Sequence, residues 1–333
     1  MVFDQSLLNL QPGESFDTET DGKYILKFRV PSKIFPLIIG KQGSFKQELQ
    51  NKYSVLLVIP TIEELRKQSH NDEGDFIKII GSNFDEIVDC KQRIESIVLA
   101  DRKKSKPNYF ISIPFGLNKE IKDKFDVFKK MILSDLNSSA IKGISNESFQ
   151  VNIRFHMTIR VLYLADKYEQ KVAKEKLEKF KQTVIIPAFK NKQNFKLHIK
   201  GLDIMNDDPK EARILYAKVE PINDKNDFFK TILNTLYDDF ENLSKDENYE
   251  TLNDWKFKVH ATILNSKYYD FANKKDQKKK QFNYKPSTMD VSAILDKYRD
   301  YDFGIFTFDK IHISAMNVDS ETNNYLQLFE VNF

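Results

Sequence analysis

The feature that most constrains this chain is one short phrase used twice. Phe155-His156-Met157-Thr158-Ile159 and Val259-His260-Ala261-Thr262-Ile263 each place a threonine two positions after a histidine, between apolar residues. Around both, Val, Ile, Leu and Phe are frequent, and alternation is clearest from Trp255 to Ile263, the pattern of a β-strand rather than a helix. On a strand, residues i and i+2 face the same way. His156 and Thr158 therefore form one imidazole-hydroxyl pair, His260 and Thr262 a second, and the neighbours between them face a core. If the two strands lie side by side, two imidazoles and two hydroxyls converge on one cleft. Such a cleft suits a phosphate, with one histidine to take a proton and the other to give one.

A chain of 333 residues, 41% hydrophobic and 30% charged, has enough apolar material for about two domains. No stretch reaches the roughly 18 consecutive apolar residues of a membrane span, and Asp4 precedes any basic residue, unlike a signal peptide. A cytosolic or nuclear protein with no membrane partner is expected. The single cysteine, Cys90, excludes an internal disulfide and a Cys-based zinc site. No ligand spacing such as H-E-x-x-H occurs, and Asp207 and Asp208, followed by Pro209, read as turn formers and cap acceptors. Neither a metal nor a cofactor is expected. A net charge of +3 permits a nucleic-acid partner without arguing for one, so local features must carry that case.

Residues 1–21 are polar with short apolar islands and read as a loosely ordered lead-in. From 22 to 100 the patterns run strand (Lys23 to Val30), helix, helix (Ser44 to about Tyr53), strand (Ser54 to Ile59), strand (Phe76 to Ile80) and helix (Asn83 to Leu99). Between the first two helices stands Ile39-Gly40-Lys41-Gln42-Gly43. Two glycines let a backbone come close to a nucleic-acid backbone, the helix N-terminus after Gly43 offers free N–H groups to a phosphate, and Lys41 adds a mobile cation. This βααββα order with its G-x-x-G loop resembles a type I KH domain, and the resemblance implies single-stranded RNA or DNA as ligand.

Asp101 to Pro107 is charged, lacks apolar anchors and ends in proline, so it reads as a linker to a second domain at 108–333. There a strand (Tyr109 to Pro114), a helix (Asn118 to about Leu136) and the strand with His156 are followed by a helix (about Asp166 to Gln182) and strands at Phe195 to Met205 and Arg213 to Glu220. A helix from about Asp224 to Leu243 then precedes the strand with His260, and strands Phe303 to Met316 and Tyr325 to Phe333 close the chain. The helix-then-H-x-T order occurs twice, an internal duplication. His312-Ile313-Ser314 has a related form without a partner in that scheme and reads as a strand residue beside the site, while His198 reads as structural. The basic run 274–280, with aromatic residues on both sides, reads as a solvated loop within reach of a phosphate backbone.

The duplicated H-x-T signature resembles the 2H phosphoesterases, the superfamily with RNA ligase-like cyclic phosphodiesterases and A-kinase anchoring protein 7-like domains. The whole is then an α+β chain, a type I KH domain followed by a duplicated, bilobal α/β phosphoesterase-like domain. Gly201 to Pro209, then Leu215-Tyr216-Ala217-Lys218-Val219, together with the KH segment, resembles the cointegrator-complex subunit family that combines both domains. The superfamily resemblance implies metal-independent phosphodiesterase chemistry on RNA ends or 2′,3′-cyclic phosphates. His156 and His260 would act as acid and base, and Thr158 and Thr262 would hold the phosphoryl oxygens. The subunit resemblance implies a nuclear protein of a transcription-coactivator and alkylation-repair complex, associated with its large helicase subunit. It leaves open a non-catalytic scaffold that delivers nucleic acid to the helicase.

Overall fold

A computed structural model of the chain describes residues 8–11, 13–18, 22–61, 63–65, 75–136, 144–190, 195–244, 256–273 and 287–333. The basic run 274–280 and the start of the Trp255 pattern lie outside these. The chain divides into two compact units, Met1–Lys106 with Tyr163–Ala173, and Pro107–Leu162 with Lys174–Phe333.

The first unit contains β1 (Ser15–Thr18), β2 (Tyr24–Arg29), α1 (Phe35–Ile39), α2 (Ser44–Lys52), β3 (Leu56–Val58), β4 (Phe76–Gly81) and α3 (Phe84–Lys104). Its sheet runs β1-β2-β4-β3 with every pair antiparallel. Alternation in β2 and β4 turns Leu26, Phe28, Ile77 and Ile79 inward, where they meet Ile38, Leu49, Ile87 and Ile94 of the helices. This is the expected βααββα order. Two local readings differ. Part of the lead-in is structured: β1 pairs with β2, Phe16 stacks on Tyr24, the backbone N–H of Arg29 donates to Glu14, and Leu8 is fully buried. Four residues with one large apolar side chain are too few to show a strand period, so only the pairing reveals them. The last helix also extends past Leu99 to Lys104, taking in Asp101, Arg102, Lys103 and Lys104. Cations in a final turn complement the helix dipole, so the charge that suggested a linker is compatible with helix. Residues 163–173 join this unit through Arg102, which donates to the Tyr163 carbonyl (2.9 Å) and pairs with the buried Glu169, itself also paired with Arg29.

The second unit contains β5 (Tyr109–Ile113), α4 (Lys119–Leu136), β6 (Met157–Leu162), the second half of α5 (Lys167–Phe180), which passes through a π turn into α6 (Ile186–Phe189), and β7 (Lys196–Ile204). Then follow β8 (Ile214–Pro221), α7 (Phe228–Asp239), β9 (Ala261–Asn265), α8 (Ser266–Asn273), α9 (Ser292–Tyr298), β10 (Asp302–Thr307), β11 (Lys310–Val318) and β12 (Tyr325–Asn332). The eight strands among its described residues form one antiparallel sheet in the order β10-β7-β8-β9-β6-β5-β11-β12. Two strand–helix–strand segments, β5-α4-β6 and β8-α7-β9, bring their last strands together at the middle, where Met157 pairs with Ala261. The bilobal duplication is thus two four-strand halves meeting at the two H-x-T segments. The single strand expected from Phe303 to Met316 is two, β10 and β11, which lie in opposite halves of the sheet. The apolar run is nearly continuous there because both strands bury apolar residues, Phe303 and Phe306 in β10 and Ile311, Ile313 and Ala315 in β11, and only Phe308 and Asp309 separate them.

Candidate functional site

His156 and His260 stand one residue before their strands, and Thr158 and Thr262 lie within them. Met157 and Ala261 are fully buried on the core face, so the residues on either side of each point to the other face. Carrying the antiparallel Met157–Ala261 register one step each way sets Thr158 across from His260 and His156 across from Thr262. Two imidazoles and two hydroxyls therefore occupy the corners of one patch. Phe155 anchors the first corner, packed without exposure against Phe115, Phe125 and Phe303.

The two imidazoles are held alike. His156 Nδ1 donates to the Arg154 carbonyl at 2.6 Å, and His260 Nδ1 to the Lys258 carbonyl at 2.7 Å. A carbonyl only accepts, so both Nδ1 atoms carry the proton and both Nε2 atoms keep a lone pair. His156 Nε2 accepts from Thr158 Oγ1 at 3.0 Å, while His260 Nε2 has no hydrogen-bond partner among the described residues. Burial pushes the His156 imidazole down from 6.5 to about 4, against the pull of the Arg154 carbonyl; charge on His260 and Arg154 pushes the same way. Burial also lowers His260. Both are neutral at pH 7 in the free protein, and a phosphate between them would favour protonation.

The flanking groups repeat as well. Tyr325 sets its edge against His156 (centroids 5.5 Å apart) and lies under the Arg154 guanidinium at 5.6 Å. Tyr216 does the same for His260 at 5.6 Å and lies under Lys258 at 5.4 Å. Each motif is thus a cation, a histidine and a threonine at alternate positions, with a tyrosine brought from another strand. The alternation Arg154-His156-Thr158 and Lys258-His260-Thr262 is a sequence signal for the cations; the tyrosines have none, because strand order places them. The halves differ farther out. Thr262 continues across the sheet to Tyr216 and Asp203, whose carboxylate accepts from the tyrosine hydroxyl at 3.1 Å, whereas Thr158 continues to Ser112 and His312.

Gly116 was also missed. Its N–H donates to the Phe155 carbonyl at 2.6 Å, and a Cβ there would stand 2.2 Å from the Asn152 carbonyl and 2.6 Å from that of Ile153. Only glycine lets the turn Asn152–Arg154, which supplies the carbonyl for His156, lie so close.

In the first unit, α1 ends at Gly40, whose φ of +72° only glycine adopts freely, and a hypothetical Cβ would meet Phe45 at 2.7 Å. Gln42 at φ +54° and Gly43 at φ +81° complete a tight turn that leads into α2. Lys41 and Gln42 are exposed and Ile39 is half-buried against the core, so the loop is anchored on one side and open on the other. Leu37 on α1 and Leu56 and Val58 on the edge strand β3 remain exposed, apolar surface of the kind on which unstacked bases pack.

A model described as "AKAP7 2'5' RNA ligase-like domain" matches residues 107–333, and one described as "KH domain" matches residues 25–96. The chain is 24% identical over 311 residues to "Activating signal cointegrator 1 complex subunit 1" of Mus musculus, covering 91% of this chain and 82% of that protein. Among solved structures, E. coli LigT complexed with 3'-AMP covers 69% of this chain and 99% of its own at 11% identity and a TM-score of 0.36, and a "phosphoesterase" covers the same shares at 10% and 0.35. Likenesses that loose carry no weight for function. Among the described residues no helix is long and apolar enough to cross a membrane. The fold is α+β, a KH domain followed by a 2H phosphoesterase-like domain, and the pair supports a nucleic-acid-binding role. With well over half of its length matching, this chain belongs to the AKAP7 2'5' RNA ligase-like domain family.

Proposed function

We propose that the protein binds single-stranded RNA or DNA through the Gly40–Gly43 loop, and that the patch of His156, Thr158, His260 and Thr262 acts on a phosphodiester at or near an RNA end. One observation carries this reading: both imidazoles are fixed by Nδ1–carbonyl bonds and share a single face with both hydroxyls. On a 2′,3′-cyclic phosphate, one Nε2 would take a proton from water as the water oxygen bonds to phosphorus. The other imidazole, protonated in the complex, would give its proton to the departing ribose oxygen. Thr158 and Thr262 would donate to the non-bridging oxygens.

The similarity to a subunit of the activating signal cointegrator 1 complex, together with the subunit-family motifs, supports a finer reading. In it the protein is a nuclear subunit of a coactivator and alkylation-repair complex, and brings nucleic acid to a helicase partner. A second reading, in which the patch holds a nucleotide end without cutting it, is favoured by the depressed imidazoles. At neutral pH neither carries the proton that a general acid must give, unless the ligand restores it. The test is an assay with 2′,3′-cyclic and 2′–5′ linked oligonucleotides beside a His156→Ala/His260→Ala variant. Turnover lost in the variant supports the enzyme; binding without turnover in the unaltered protein supports the holding role.

A further inference from the structure

The half of the sheet that carries His156 has a polar pocket that the two H-x-T motifs do not explain. It opens beside His156, away from His260, and Ser112, Arg154, His312, Ser314, Tyr325 and Gln327 line it. His312 and Ser314, two apart on β11, face the same side as Ser112 and Thr158, because His312 pairs with Ser112 and Ser112 with Thr158. The row runs on to Glu330 of β12, the edge strand. The half with His260 has no equivalent, since Asp203 stands where His312 does.

One buried polar atom here, Arg154 Nε, lacks the partner that burial normally requires, and a buried histidine is paired only at the outer edge. His312 is only 5% exposed, and its Nε2 lies 3.0 Å from Glu330 Oε2, an ion pair once the imidazole is protonated. Arg154 has a buried, unbonded Nε and no carboxylate within ion-pair distance among the described residues, and its guanidinium lies over the Tyr325 ring. Buried polar groups left without partners cost stability, and such groups mark places completed by something bound. A guanidinium, an imidazolium and two serine hydroxyls can all donate, which matches a ligand whose oxygens only accept. Glu330 stands behind His312 on the outer strand and partly in solvent, placed to stabilise the imidazolium once an anion arrives on its other side.

We infer that this pocket is a second phosphate subsite, so that the cleft takes ligands bearing two phosphates, one at the His156–His260 patch and one at Arg154, His312 and Ser314. His312 lies two strands from Thr158, about 10 Å away, and the pocket begins at His156, within reach of the next phosphate on the same nucleotide or strand. The ligand class is then a nucleoside bisphosphate or an oligonucleotide, rather than a mononucleotide. This rests on the first phosphate binding as proposed above.

The experiment is calorimetry on the full chain with 3′-AMP, adenosine 3′,5′-bisphosphate and the dinucleotide ApAp, repeated with Ser314→Ala and His312→Gln. Unaltered protein should bind at least one two-phosphate ligand about tenfold more tightly than 3′-AMP. The bisphosphate alone being tighter identifies a terminal phosphate, and ApAp alone a chain phosphodiester. Both variants should bring the two-phosphate ligands to within about twofold of 3′-AMP without changing 3′-AMP itself, an effect that merely structural damage would not give. Equal affinity for all three ligands in the unaltered protein overturns the subsite while leaving the first site standing. Equal weakening of all three in Ser314→Ala overturns it too, and no binding of any ligand removes the first site and the second with it.

Discussion

At the scale of single residues, the chemistry depends on how backbone carbonyls aim two imidazoles. Gly116 shows how finely: an added methyl would drive into two carbonyls of the turn that presents Arg154 to His156. Gly116→Ala should destabilise the second unit by about 2 kcal/mol or more and disturb the His156 side, a change measurable as a lowered melting temperature and an altered His156 NMR signal. Thr158→Val keeps the volume and removes the hydroxyl bonded to His156 Nε2. It should weaken phosphate binding about tenfold with little loss of fold, as titration calorimetry would show. If the patch is catalytic, activity should follow a bell-shaped pH profile. Alanine at either histidine should then erase one limb and cut the rate by roughly a hundredfold or more, while ligand binding weakens only modestly and EDTA changes nothing.

At the scale of elements, the glycine loop separates two roles that sequence treats alike. Gly40 is crowded by Phe45 as well as left-handed, whereas a Cβ on Gly43 meets nothing within 4 Å. Gly43→Ala should cost only the backbone term, about 1–2 kcal/mol, and Gly40→Ala distinctly more, as parallel denaturant titrations of the full chain would show. Replacing exposed Lys41 and Gln42 with aspartate removes no packing. The pair should abolish nucleic-acid binding by the KH domain and weaken that of the full chain, measured by fluorescence anisotropy with a labelled single strand; unchanged affinity would assign binding to the phosphoesterase-like half. Elements with a strong period were legible, among them β2, β4 and α4. Those defined by pairing were not: β1 is too short for a pattern, and the break between β10 and β11 is hidden by two strands that both bury apolar residues.

At the scale of the whole molecule, the buried histidines couple stability to pH. His156 moves from 6.5 in the unfolded chain to about 4 in the fold. As pH falls through that window, the unfolded chain takes up a proton that the folded protein refuses, so stability is lost on acidification and retained above about 6.5. The melting temperature should drop between pH 7 and pH 4.5 by about 2–4 °C more in the unaltered protein than in His156→Gln, and bound phosphate should reverse part of that drop. The residue order alone sets the two domain types and the duplicated motif, because strand alternation and the G-x-x-G loop are local patterns written in neighbouring residues. It also determines that each histidine shares a face with its threonine, since that follows from a period of two. Folding, by contrast, makes the two motif strands neighbours, stands Tyr216 and Tyr325 against the imidazoles, and joins His312 to the first half alone. Those facts depend on strand order and register across residues up to two hundred positions apart, which no local pattern encodes.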